Sequence, residues 1–304
     1  MDQKKIGVIA IFIASFMWAI EPIFVKLSYQ HAHVFEIAAI RASIILIIAL
    51  IYLGFQKTNP LKIQRQQITA LFYIAIAGTI IADFLYYYAL MYASVLNAVL
   101  LGHLQPIFII LIGYFLLRSE RLTKLDYWGI FFMMLSAVLV STRTLENASN
   151  FQFLNPADAL VLIATVAWAS AAIAVRKYLT MLSAGVITFY RFFFACIFFT
   201  GYFLVTQSLH IHIYQIIVGI IVGVGTICYY ESLKRLKAAQ VSGLELSSPL
   251  LAALLGFIIL QESITIMQIV GMILLILGVY FLSMKQKNKR QRKKVAKSIK
   301  EISR

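Results

Sequence analysis

The sequence predicts an all-α polytopic membrane protein with ten transmembrane helices arranged as two inverted five-helix repeats. Three observations predict it: too little charge for a soluble surface, ten apolar runs of membrane-spanning length, and a second half that echoes the first. Hydrophobic residues make up 62% of the 304-residue chain and charged residues 13%. Soluble domains hold about 45–50% and about 25% respectively. The solvent around most of this chain is therefore lipid.

A helix needs about 20 mostly apolar residues to cross the hydrocarbon. Apolar runs between charged or turn-like breaks cover 6–27, 34–54, 69–91, 94–117, 125–142, 157–175, 184–205, 212–233, 239–260 and 265–284. Strand-like alternation is absent from them, which argues against a β-barrel. The first run follows MDQKK and so begins like a secretory signal. It continues through Trp18, Glu21 and Pro22 without a cleavage site and is expected to be a retained helix.

Charge sets the orientation. The net charge is +15, and ten of the 27 Lys and Arg residues lie between Lys285 and Arg304. With the N-terminus in the cytoplasm, 23 of the 27 fall on the cytoplasmic side, and only Arg143 falls clearly on the other. An even number of spans then places both termini inside. The expected location is the cell membrane, multi-pass, with the basic tail against anionic lipid. Nucleic acid is not needed to explain the charge, because no folded domain outside the helices is long enough to present a basic face.

The halves correspond residue by residue. Trp18 matches Trp168, Lys26 matches Arg176 and Arg41 matches Arg191, each 150 positions apart. Pro106 in HLQPIF matches Pro249 in LSSPLL. RSERLT matches QESIT, setting Glu120 opposite Glu262, and Gly129 matches Gly271. Five spans per repeat is an odd number, so the second copy enters from the opposite side. Inverted repeats of this kind build many secondary transporters, with substrate bound between them near mid-membrane. The expected organisation is a first repeat over 1–142, an extracytoplasmic loop over 143–156, a second repeat over 157–284 and a basic cytoplasmic tail over 285–304.

The segments WAIEPIFVK, Arg41, YYYALMYASVLNAVLLGHLQPIFIILIGYFLLRSERLT, YYESLKRLKAAQVSGLELSSPLLAALLGFIILQESIT and GMILLILGVY carry a resemblance. In them the chain resembles the drug/metabolite transporter superfamily, in its EamA-type ten-helix branch, over roughly residues 6 to 283. The resemblance implies a proton-coupled or exchange carrier, often one that exports amino acids, related metabolites or toxic compounds.

A charge at the bilayer centre costs about 2.5–3.5 kcal/mol, so each one there must face protein, water or substrate. Glu21 follows Trp18 by three residues and shares its helix face. Pro22 frees a carbonyl of the preceding turn. Glu21 is expected to contact an ion or substrate, or to anchor Arg41. Asp83 precedes Tyr87 by one turn; its position suits either the cavity or the interfacial belt. His103 and Gln105 precede Pro106, and His103 is a proton-exchange or packing residue. Glu245 lies four residues before Pro249 and is the expected titrating carboxylate. Glu231 is expected to touch substrate or to pair with Lys234 and Arg235. Arg41 and Arg191 either bind a substrate carboxylate or lock helices. Trp18, Trp168, Tyr190, Tyr229 and Tyr230 are expected aromatic walls for an apolar side chain or a cation face. Like charges crowded together cannot all stay ionised, so Glu21, Asp83 and Glu245 in one cavity would hold at least one proton.

Cys196 and Cys228 read as small core residues. No metal-ligand spacing, Walker A loop or H-E-x-x-H pattern occurs, so no metal, cofactor or enzymatic role is expected. The expected function is a proton-coupled exporter of a small polar, zwitterionic or cationic metabolite. A flippase for a lipid-linked substrate and an importer or exchanger of the same fold are the alternatives.

Overall fold

In lipid, an apolar run must close its own backbone hydrogen bonds, and these runs do so as helices. The computed structural model describes residues 2–55, 63–115, 123–150, 154–179, 181–206, 210–236 and 238–282. Its membrane helices are α1 (Gln3–Ser28), α2 (Val34–Gly54), α3 (Gln67–Leu90), α4 (Val95–Phe115), α5 (Lys124–Thr142), α6 (Pro156–Tyr178), α7 (Ala184–Thr206) and α8 (Ile213–Arg235). Then come α9, formed by Ala238–Glu245 and Ser247–Leu260, and α10 (Ile266–Leu282). The first eight are long and apolar enough to span a membrane, and the described residues contain no strand. The loop expected over 143–156 holds a short helix, Leu145–Ser149. Glu120, Lys62 and the tail over 285–304 lie outside the described residues.

Three of the helices depart locally from regular geometry. The expected spans over 94–117 and 239–260 are each broken. The first half of α4 ends at Gly102 and that of α9 at Glu245, each four residues before a proline. A proline ring collides with the carbonyl four residues back and offers that carbonyl no N–H, so the helix gives way there. In α3, residues Ile76–Asp83 widen into a π-helical turn. By contrast, α1 runs through Pro22 without a break.

Packing repeats the sequence symmetry. α1 lies along α8 and α9, as α6 lies along α3 and α4. α2 packs on α8, as α7 packs on α3, and α2 crosses α7. α5 and α10 meet through glycines. A Cβ on Gly129 would stand 3.0 Å from the Gly278 carbonyl oxygen, and one on Gly278 would stand 2.9 Å from that of Gly129. Such close approach holds helices together where lipid supplies no hydrophobic drive. The outward faces carry Phe12 and Phe16 of α1, Leu50 and Ile51 of α2, and Phe257 and Ile258 of α9, all exposed as a lipid-facing surface requires.

One end of the bundle is fastened by polar contacts. Glu262, in the α9–α10 turn, accepts the Val95 N–H at 2.9 and 3.0 Å, capping α4, and pairs with Lys26 Nζ at 2.9 Å. Nearby, buried Asp158 accepts from Ser141 Oγ at 2.9 Å and Asn97 Nδ2 at 3.3 Å. Gln268 donates to Asn97 Oδ1 at 2.7 Å. These bonds tie α4, α5, α6 and α10 at the same end.

Candidate functional site

The two proline breaks face each other across a cavity of about 210 Å³. Gly102, His103, Gln105 and Pro106 line one side; Glu245 and Leu246 line the other. α1 contributes Trp18 and Glu21, α2 Arg41, α3 Asp83 and Tyr86, α6 Trp168 and Arg176, α7 Arg191, and α8 Thr226, Tyr229 and Tyr230. The space therefore lies between the repeats. It runs toward the helix ends that carry Arg176 and Leu233, away from the Glu262 and Asp158 fastenings.

At its deep end the charges form a compact network. Arg41, 1% exposed, places Nη2 3.0 Å from Asp83 Oδ2 and Nη1 3.0 Å from the Tyr87 hydroxyl. Tyr87 donates to Glu21 Oε1 at 2.5 Å, and Arg41 Nη1 stands 4.0 Å from that same oxygen. Tyr29 donates its hydroxyl to the Tyr87 carbonyl. Asp83 also accepts from Trp168 Nε1 at 2.7 Å and lies 3.4 Å from Arg191 Nη2. The π-turn explains how Arg191 is held. There the Gly78 carbonyl accepts from Arg191 Nη2 at 2.8 Å and from Trp168 Nε1 at 3.1 Å. Thr79 Oγ1 accepts from Arg191 Nε at 2.7 Å. Buried charges persist only with this density of partners.

The aromatic walls are paired by symmetry. Trp18 tilts on Tyr229 with centroids 5.0 Å apart, and Trp168 tilts on Tyr86 at 5.2 Å. Arg41 donates to Tyr87, and Arg191 reaches the Tyr230 hydroxyl at 3.5 Å. The carboxylates break the symmetry. The position matching Glu21 is Ala171, that matching Asp83 is Thr226, and that matching Glu245 is Gly102. Scaffold and aromatics are thus duplicated, whereas the acids occur once each.

Glu245 differs from the other two acids. Its carboxylate lines the cavity and makes no hydrogen bond or ion pair with another described residue. His103 places Nδ1 2.7 Å from the Val99 carbonyl, while its buried Nε2 has no hydrogen-bond partner among the described residues. The charged residues on the lining are Glu21, Asp83 and Glu245 against Arg41, Arg191 and Arg176, three of each sign.

Of the residues singled out in the sequence, Trp18, Glu21, Arg41, Asp83, His103, Gln105, Trp168, Arg191, Tyr230 and Glu245 come together on this lining. Tyr87 stands just behind it, bridging Glu21 and Arg41. Glu231 and Tyr190 are not on it. Glu231 pairs with Lys234 at 3.6 Å and with Arg235, one helical turn on. Tyr190 packs against Phe189 and Phe194. Sequence reasoning missed Arg176, which counted there only as a loop charge; its match to Lys26 was the available signal. It also missed Tyr86, assigned no role of its own beside Tyr87, and the Gly78 carbonyl, for which no signal existed.

Comparison with known proteins agrees with this architecture. The EamA-like transporter family matches residues 5–142 and 155–284. An uncharacterized transporter of Synechocystis sp. is 28% identical, over 77% of this chain and 70% of its own. One from Methanothermobacter thermautotrophicus is 27% identical, over 91% of this chain and 85% of its own. A solved crystal structure, 16% identical, superposes with a TM-score of 0.67 over 93% of this chain and 98% of that one, and so shares its fold.

Proposed function

Because the chain belongs to the EamA-like transporter family, we propose that it is a proton-coupled secondary transporter that exports a small zwitterionic or cationic metabolite, such as an amino acid or a related compound. Glu245 carries this reading. Glu21 and Asp83 are held by Tyr87, Arg41, Arg191 and Trp168. Glu245 alone of the three faces the cavity without a hydrogen bond or close ion pair among the described residues, with Arg176 on the same wall as its nearest source of positive charge. A proton or a substrate ammonium can satisfy it, but not both, so the two compete for one negative charge. Export follows if protons enter as substrate leaves. Trp18, Tyr229, Trp168 and Tyr86 supply π faces for the apolar part or the cation. The bias of Lys and Arg supports a cell-membrane protein with both termini cytoplasmic. The cavity then extends toward the cytoplasm, where an exported substrate is collected.

The test uses purified protein in liposomes. A competition panel identifies the substrate, and its flux is then measured under an imposed pH gradient. Glu245→Gln keeps the side chain's volume and removes the titrating carboxylate. It is expected to fold and to lose gradient-driven flux by at least about ten-fold, a transition-state difference of roughly 1.4 kcal/mol, while exchange persists. Wild-type pH dependence in the variant would remove Glu245 from this role.

A further inference from the structure

Four of the chain's five histidines stand in two short segments, His31-Ala32-His33 after α1 and His210-Ile211-His212 before α8. The segments belong to different repeats, yet the fold brings them together at the end of the bundle that the charge bias places outside the cytoplasm. The rings of His31 and His212 stack, with centroids 3.9 Å apart and planes 17° from parallel. Tyr214 backs the stack, 4.9 Å from the His212 ring and 6.0 Å from that of His31. Its N–H donates to His212 Nδ1 at 3.4 Å, a contact that requires this nitrogen to be unprotonated. Beside the stack, Glu36 is 2% exposed in the first turn of α2. It accepts the His33 N–H at 2.7 Å and the His210 N–H at 3.0 Å, and lies 3.2 Å from His210 Nδ1.

The other titratable groups of the adjoining elements divide between distant partners and the stack itself. On α1, Tyr29 donates to the Tyr87 carbonyl and Lys26 pairs with Glu262. On α2, Glu36 faces His33 and His210. On α8, Tyr214 faces the stack itself. Among the described residues no carboxylate pairs with His31 or His212.

We propose that His31 and His212 form a proton-operated catch between the two repeats, with Glu36 and His210 as the pivot beside it. Imidazole changes charge between pH 5 and 8. With no more than one ring charged, the stack holds. With both charged, two cations about 4 Å apart repel, which shifts the open-to-closed ratio about five-fold at the dielectric constant of water. Protonation of His210 does the opposite, strengthening its contact with the Glu36 carboxylate. Acid therefore frees the α1–α2 turn from residues 210–212 at the stack while Glu36 keeps hold of the other side. This inference rests on the orientation and proton coupling proposed above: the catch releases on the side from which protons arrive.

The experiment measures distance, not flux. Cysteines replace Gln30 and Ile211, both exposed, in a Cys196→Ser/Cys228→Ser background. They are spin-labelled, and the protein is placed in nanodiscs without substrate or gradient. Between pH 8 and pH 5.5 the ratio of the longer to the shorter distance population is expected to rise about three-fold, toward the limit of about five-fold that full charging of both rings sets. His31→Phe keeps an aromatic ring in the stack, and His31→Gln/His212→Gln removes both imidazoles; each is expected to hold one distribution at every pH. A wild-type distribution that ignores pH, or variants that respond as wild type does, would overturn the catch. Failure of the Glu245 flux test leaves this readout intact, and the reverse also holds.

Discussion

Replacing Arg41 tests whether the deep network is one electrostatic unit. At 3.0 Å from Asp83, a unit-charge pair is worth about 5 kcal/mol at an effective dielectric constant near 20. Most of that offsets the cost of holding two ions out of water, so the pair's net contribution is small. Removing one partner is different. Arg41→Met leaves Asp83 with Arg191 at 3.4 Å and Trp168 at 2.7 Å, and it strips the cation that faces Glu21. The expected loss is roughly 3–5 kcal/mol. Asp83→Asn alone leaves Arg41 and Arg191 together without the carboxylate between them, and is expected to cost roughly 1–3 kcal/mol. The double variant removes both ions and should lose less than the two single variants added, by at least about 1.5 kcal/mol. Reversible unfolding by SDS titration in bicelles reads all four stabilities. If the two losses add to within about 0.5 kcal/mol, the residues act independently and the network argument fails.

Gly278→Ala places a methyl group 2.4 Å from Met133 Cγ and 2.9 Å from the Gly129 carbonyl oxygen; thermal unfolding should show a loss of about 1–3 kcal/mol. Gly201→Ala on α7 meets nothing within 4 Å and should be neutral or stabilising by up to about 1 kcal/mol. Glu262→Gln keeps an acceptor for the Val95 N–H but loses the ion pair with Lys26, at an expected cost of about 1–2 kcal/mol in the same assay. Impermeant thiol labelling of single cysteines should reach position 150 from outside and position 121 only from inside; labelling of position 121 from outside would refute the ten-span topology.

The ten spans were legible because lipid enforces them: hydrocarbon tolerates only long self-bonded helices, and basic residues mark the gaps. Trp18 and Glu21 could be placed together from their three-residue spacing, but the breaks before Pro106 and Pro249 were not anticipated, because both runs are apolar enough to read as continuous spans. The pairing of Asp83 was not legible. Spacing along α3 says nothing about which of two arginines, 42 and 108 residues away, closes on it. Nor did composition mark the π-turn, since IAGTIIAD is as apolar as its flanks. That turn decides where the Gly78 carbonyl points and hence how Arg191 is held. Arg176 and Glu231 show the limit of reasoning from position. Both sit near helix ends with neighbouring charges, yet one lines the cavity and the other pairs along its own helix.

The even count of acids and arginines on the cavity wall has an electrical consequence. A binding centre with no net charge can turn from one side of the membrane to the other without doing work against the transmembrane voltage. Under the transport function proposed above, a zwitterion added to it would change nothing, and its passage would generate no current in this step. A single proton on Glu245 would change that. The centre would then carry one positive charge, and 100 mV, negative inside, would favour its inward turn by about 2.3 kcal/mol across the full field. The voltage would pull on the return stroke and leave the outward stroke alone.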